Sequence, residues 1–282
     1  MKEFWKSFGK ALLYFLLYLI PQFIVSFVYT MALSAKATME MMAEDGAVDP
    51  LQLTETLMGQ VQEKAKLLTG IAAVISLVIL AIVFLIRKKS FFTETSISVI
   101  SGISIVQVAV VGIGFNIVIS TLLNVIPFPE SWMNSYQQSS GMIGSGNMVV
   151  AVIATVLLAP VLEEITFRGL VYTRLKKGMP ALVAAVITSL AFAVMHGTLI
   201  WGIYTFLFSL LLIWTFEKVQ SLTANILLHI AFNATGMVLG NAAEIPDVLY
   251  WICFILGVIA FAGGVFWMYR TQIVNEQTGE NA

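Results

Sequence analysis

"MVVAVIATVLLAPVLEEITFRGLVYTRLKK" (residues 148–177) decides what kind of chain this is. A bilayer core of ~30 Å needs about 20 apolar residues of helix, and this stretch supplies them. Yet Glu163, Glu164 and Arg168 stand inside it. Three charges there mean a helix end in water, a structural ion pair, or chemistry. Measured from the basic end at Lys177, Glu163 lies ~20 Å along the helix at ~1.5 Å per residue. Tilt shortens the depth but leaves the site within the hydrocarbon zone. An ionised carboxylate there costs about 3 kcal/mol or more, so it faces a protein interior or a wet cavity.

The rest of the chain has the same character. It is 59% hydrophobic and 11% charged, with a mean hydropathy of +0.91, far outside the soluble globular range. The net charge of −1 argues against a nucleic-acid partner. A single cysteine, Cys253, excludes an internal disulfide and a cysteine-cluster metal site, and reads as a plain buried thiol. Eight candidate spans follow one another: 11–33, 67–86, 98–125, 148–175, 180–197, 199–217, 222–241 and 248–269. The expected fold is therefore all-α, a polytopic membrane protein with about eight transmembrane helices. "SAKA" (34–37) resembles a cleavage site, but the first span is too long for a signal core and reads as retained.

Basic residues set the expected orientation. Lys2, Lys6, Lys10, Arg87, Lys88, Lys89, Arg168, Arg174, Lys176, Lys177, Lys218 and Arg270 fall on one side if eight spans alternate, leaving only Lys36, Lys64 and Lys66 on the other. Both termini are then cytoplasmic. Trp201 and Trp251 open spans at the outer face, while Trp214 and Trp267 close spans at the inner one. The organisation expected is 1–144 with three helices, 145–241 as a core, and 242–282 as a last helix and tail. Residues 34–66, broken by Gly46 and Pro50, read as two short amphipathic helices outside the membrane, a linker or a cap over substrate. Residues 127–147 read as an irregular loop. Pro160 is expected to kink the fourth span one turn before the glutamates.

Glu164 and Arg168 are four apart in the favourable acid-before-base order and make a self-contained pair. Glu163, ~100° around the helix, is left without a local partner. The only two histidines lie at comparable depth. His196 is ~24 Å along the fifth span, and His229 and Asn233 are ~12 and ~18 Å along the seventh. A carboxylate and an imidazole can hold and deprotonate a water. A second imidazole and an amide can donate to an oxyanion. These are parts for peptide-bond hydrolysis without a covalent nucleophile. Glu163, His196 and His229 also form a zinc ligand set of a kind used by some hydrolases, although HExxH is absent.

"EEITFR" (163–168) fits EExxxR, "FAVMH" (192–196) fits FxxxH, and "HIAFN" (229–233) fits HxxxN, in this order on successive helices. The chain thus resembles the CPBP family of intramembrane proteases, which includes type II CAAX prenyl endopeptidases and bacteriocin-processing and immunity proteins. The resemblance covers roughly 145–240. It implies that Glu163 activates water with His196 beside it, that His229 and Asn233 stabilise the oxyanion, and that Glu164, Arg168 and Phe192 support them. Members are described both as metal-dependent and as metal-free. Asn233 has a role in the metal-free reading and is a poor zinc ligand, so no cofactor is favoured and zinc stays open. The expected partners are the lipid bilayer and a peptide or protein reaching it, prenylated or carrying a leader. The expected location is a bacterial plasma membrane. A proton-coupled transporter, and a non-catalytic immunity or scaffold protein of the same fold, are the alternatives.

Overall fold

A chain in hydrocarbon must satisfy its backbone polar groups internally, so long apolar runs become helices. The computed structural model describes residues 1–44, 47–144, 147–240 and 246–278. Ten helices and no strand occur among them: α1 (Lys2–Glu44), α2 (Pro50–Ile86), α3 (Phe91–Thr95), α4 (Gly102–Val125), α5 (Glu130–Gly144), α6 (Met148–Leu175), α7 (Ala181–Val194), α8 (Leu199–Val219), α9 (Leu222–Gly240) and α10 (Asp247–Thr278). Seven of these are long and apolar enough to cross a membrane. The remaining expected span, 180–197, is the 14-residue α7, ~21 Å long. Outward-facing Phe23, Phe27, Leu85 and Phe266 are each more than 60% exposed, as lipid contact requires and water would not tolerate. The protein is an all-α, multi-pass membrane protein.

Three expectations change. Residues 34–66 are not two separate short helices: α1 runs on to Glu44 and α2 starts at Pro50. Pro50, read as a breaker, is the first helical residue, with the Asp49 carboxylate accepting from the Leu51 amide at 2.8 Å. Gly46 lies outside the described residues. Most of the stretch expected as irregular, 127–147, is α5, whose Tyr136 ring meets Trp201 and Tyr204 of α8 edge-on. Its polar composition hides a helix that docks by aromatic contact. Cys253 is half-buried rather than buried.

α6 sits centrally, against α1, α2, α7 and α9. Its winding alternates, with π-helical stretches at Val152–Leu158 and Ile165–Tyr172 around an α-helical Ala159–Glu164. The expected disturbance at Pro160 is thus a change of winding. α4 packs against α9 and α10 through small residues, as membrane helices do when backbones approach closely. A Cβ on Gly112 would lie 2.5 Å from Leu228 O, and one on Gly114 2.5 Å from Phe261 N.

Glu94 on α3 ties the helix ends together. Lys89 Nζ donates to its Oε1 at 2.7 Å, and Arg174 pairs with its Oε2. The Lys89 hydrogen bond, aided by the Arg174 charge and opposed by burial, holds the Glu94 carboxyl below its ordinary range.

Two outcomes follow from this packing. Gly112→Ala drives α9 away at the residue before His229 and lowers stability by about 1–3 kcal/mol, read as a thermal shift in detergent; Gly59→Ala, with open space around it, does not. Because the Glu94 pKa is depressed on folding, its stabilisation is present above the ordinary carboxylate value of about 4.3 and fades below it. Glu94→Gln is expected to lower the melting temperature at pH 7, and the gap to wild type should close below about pH 4.

Candidate active site

The sequence places two adjacent glutamates where α6 turns from α- to π-winding. Consecutive helical residues point ~100° apart, so the two carboxylates meet different surroundings. Glu164 is fully buried and fully engaged. Arg168 Nη1 donates to its Oε1 at 2.9 Å, and His229 Nδ1 lies 2.8 Å from the same atom. Asn225 Nδ2 reaches Oε2 at 3.3 Å and also donates to Leu212 O at 2.7 Å. The Arg168–Glu164 pair is the expected i,i+4 pair, with both side chains 0% exposed. A buried ion pair survives only with such extra hydrogen bonds.

Arg168 Nε and Nη2 have no hydrogen-bond partner among the described residues. Instead the guanidinium lies 4.5 Å from the Phe192 ring centroid, and the ring's negative face compensates the cation. Phe192 is itself 0% exposed. It packs edge-on to Phe167 at 5.1 Å, and touches both imidazoles, His196 at 4.7 Å and His229 at 6.1 Å between centroids. Phe192 is therefore the wedge that spaces the cation and the two histidines.

Glu163 has a different environment. Its closest charged neighbour is His229, with Nε2 at 3.7 Å from Oε2, beyond hydrogen-bond range. Glu163 makes no hydrogen bond with any described residue. Its oxygens are free to engage a substrate or a water. His229 thus sits between the two glutamates, Nδ1 on Glu164 and Nε2 toward Glu163.

His196 lies past the end of α7, in the turn closed by Gly197 at φ +82°. No hydrogen bond or ion pair joins it directly to Glu163, whereas His229 Nε2 stands 3.7 Å from Glu163 Oε2. His196 Nδ1 is 2.8 Å from Phe192 O. A carbonyl only accepts, so Nδ1 carries the proton and the neutral ring keeps its lone pair on Nε2.

Asn233 Nδ2 donates to Thr155 O at 2.9 Å. The π register explains why that carbonyl is available. The Ala159 N–H bonds to Ala154 O, five residues back. The next donor in this register is residue 160, a proline with no N–H. Asn233 takes its place, keeping its second amide hydrogen.

Asn225 escaped the sequence reading, although it precedes His229 by the same four residues that separate His229 from Asn233. All three share one face of α9. That spacing was the available signal. The three side chains of the zinc alternative do not gather as ligands, and no group of three His, Cys, Asp or Glu side chains placed to hold a metal occurs among the described residues.

Residues 145–235 match the family described as type II CAAX prenyl endopeptidase Rce1-like. The match spans about a third of the chain, and Glu163, Glu164, Arg168, Phe192, His196, Asn225, His229 and Asn233 all fall within it. It supports the CAAX-type protease family read from the three motifs, and with it a protease as the kind of function. No curated protein and no solved structure matches the chain.

Removing one partner of the buried pair leaves the other charge unpaired. Arg168→Met is expected to cost about 3–5 kcal/mol, measured by denaturant titration in mixed micelles. Adding Glu164→Gln to it should recover most of that loss, since the orphaned anion is then gone.

Proposed function

We propose that the chain is an intramembrane endopeptidase that hydrolyses a peptide bond of a peptide or protein delivered to the membrane. The observation that carries this reading is the unequal pair of carboxylates: Glu164 saturated by Arg168, His229 and Asn225, Glu163 left free beside the His229 ring.

Glu163 is the general base. It takes a proton from a water, whose oxygen attacks the scissile carbonyl as the C–O bond forms. His196, with its Nε2 lone pair free, orients that water on the other side. The developing oxyanion is met by His229 as the imidazolium, whose Nδ1–H stays on Glu164 while its Nε2–H donates, and by the second amide hydrogen of Asn233. The proton on Glu163 then passes to the leaving nitrogen as the C–N bond breaks. Glu164, Arg168, Asn225 and Phe192 position these groups. The reaction proceeds without a covalent intermediate and without a metal. The substrate is a membrane-delivered chain, either CAAX-type and prenylated or a leader-bearing peptide, and the setting is a bacterial plasma membrane.

The test is cleavage of prenylated and leader peptides by protein reconstituted in liposomes. Glu163→Ala and His196→Ala are each expected to lower kcat by ~10²-fold or more, the usual contribution of acid–base catalysis. Cleavage untouched by both substitutions sinks the mechanism. Activity that survives chelation in a sample free of zinc is the expected result for the metal-free chemistry; loss on chelation with recovery on zinc overturns that part.

A further inference from the structure

Away from the glutamates, the helix ends that carry most of the basic residues enclose a recess of about 210 Å³. Its cations come from three separate elements: Lys6 and Lys10 on α1, Arg87 and Lys89 after α2, and Arg174 and Lys177 at the end of α6. Glu3 and Glu94 are the acids on its walls, so six positive charges face two negative ones. Glu94 is already committed to Lys89 and Arg174. Lys6, Lys10 and Lys177 make no ion pair with any described residue.

The sign of these charges needs nothing more than membrane topology. Their convergence does. Lys6 and Lys10 are four apart on one helix face, where like charges repel. Arg174 is buried to 7% exposure, fixed by Glu94 and by Thr173 Oγ1 at 3.3 Å. Arg87 is fixed by the Tyr14 hydroxyl, and the Arg174 guanidinium stands 5.9 Å from the same ring. Two oriented guanidinium groups with unpaired lysines around them are the donor set that holds a phosphate. Gly178 lets the α1 start close the wall, since a Cβ there would lie 2.9 Å from Ser7 Cβ. Trp5, beside Lys6, is 65% exposed, and Phe92, two residues before Glu94, is 63% exposed. An exposed tryptophan such as Trp5 favours the headgroup level.

We propose that this recess is a binding site for a phosphate group, carried by an anionic lipid headgroup or free in solution. It is separate from the glutamate site and stands whether or not the chain cleaves peptides.

The test uses the full chain in phosphatidylcholine nanodiscs, titrated with phosphatidylglycerol in one arm and inorganic phosphate in the other. Bound lipid is counted by native mass spectrometry, and bound phosphate by isotope retention. Each lysine near the surface contributes about 1 kcal/mol, or about fivefold. Lys6→Ala/Lys10→Ala/Lys177→Ala is therefore expected to weaken phosphatidylglycerol binding by about 10²-fold. The arginine versions of the three keep it, and Lys36→Ala/Lys64→Ala, remote in sequence from the recess, leave it unchanged. Lysine-dependent binding of inorganic phosphate supports the site and assigns it to the free ion. Equal binding of both probes by wild type and the triple alanine variant overturns the proposal. Should the alanine variant not fold, Lys177→Ala alone is read the same way, against about fivefold.

Discussion

A carboxylate without water has to be surrounded by donors, and Glu164 is such a carboxylate. Its burial obliges Arg168 to fold back along α6, His229 to turn Nδ1 toward it, and Asn225 to reach across from α9. Through the second Asn225 bond, to Leu212 O, the constraint extends to α8. Three helices are thus located by one anion. Because Nδ1 of His229 is used up here, its Nε2 is aimed, and the aim is at Glu163. The chemistry proposed for Glu163 depends on an interaction in which Glu163 takes no part.

Phe192 completes the arrangement from the opposite side. An aromatic face is a weak partner for an arginine in water and a strong one when both are desolvated. Here it accepts the Arg168 cation and supports both imidazoles, while its own carbonyl fixes the His196 tautomer. One residue acts through its ring and its backbone on three charged or titratable groups.

Much of this was legible before any coordinates. Depth along the helix separated Glu163 from a helix end in water, and the four-residue spacing gave the Glu164–Arg168 pair. What was not legible has physical reasons. Both strong α1 and α2 patterns continue beyond the bilayer, and Gly46 and Pro50 look like breaks although Pro50 begins a helix. The polar α5 carries four serines and two glycines in fifteen residues and reads as a loop by composition, although it docks as a helix by a few aromatic edges. π-winding has no composition of its own, so the link from Pro160 through Thr155 O to Asn233 could not be read from spacing. That His229 turns its Nε2 toward Glu163 was hidden for a similar reason. Axial depth alone says nothing of which way a ring faces.

The shortness of α7 has a consequence for the membrane itself. Its outer face, Leu182, Val183, Leu190 and Val194, is exposed to lipid, yet the helix covers only ~21 Å of a ~30 Å core. Such hydrophobic mismatch is relieved by local thinning of the bilayer or by drawing polar groups inward. Either response brings the aqueous boundary toward the turn at His196. The reactant of the proposed hydrolysis is water, and a bilayer thinned at α7 shortens its way to that turn.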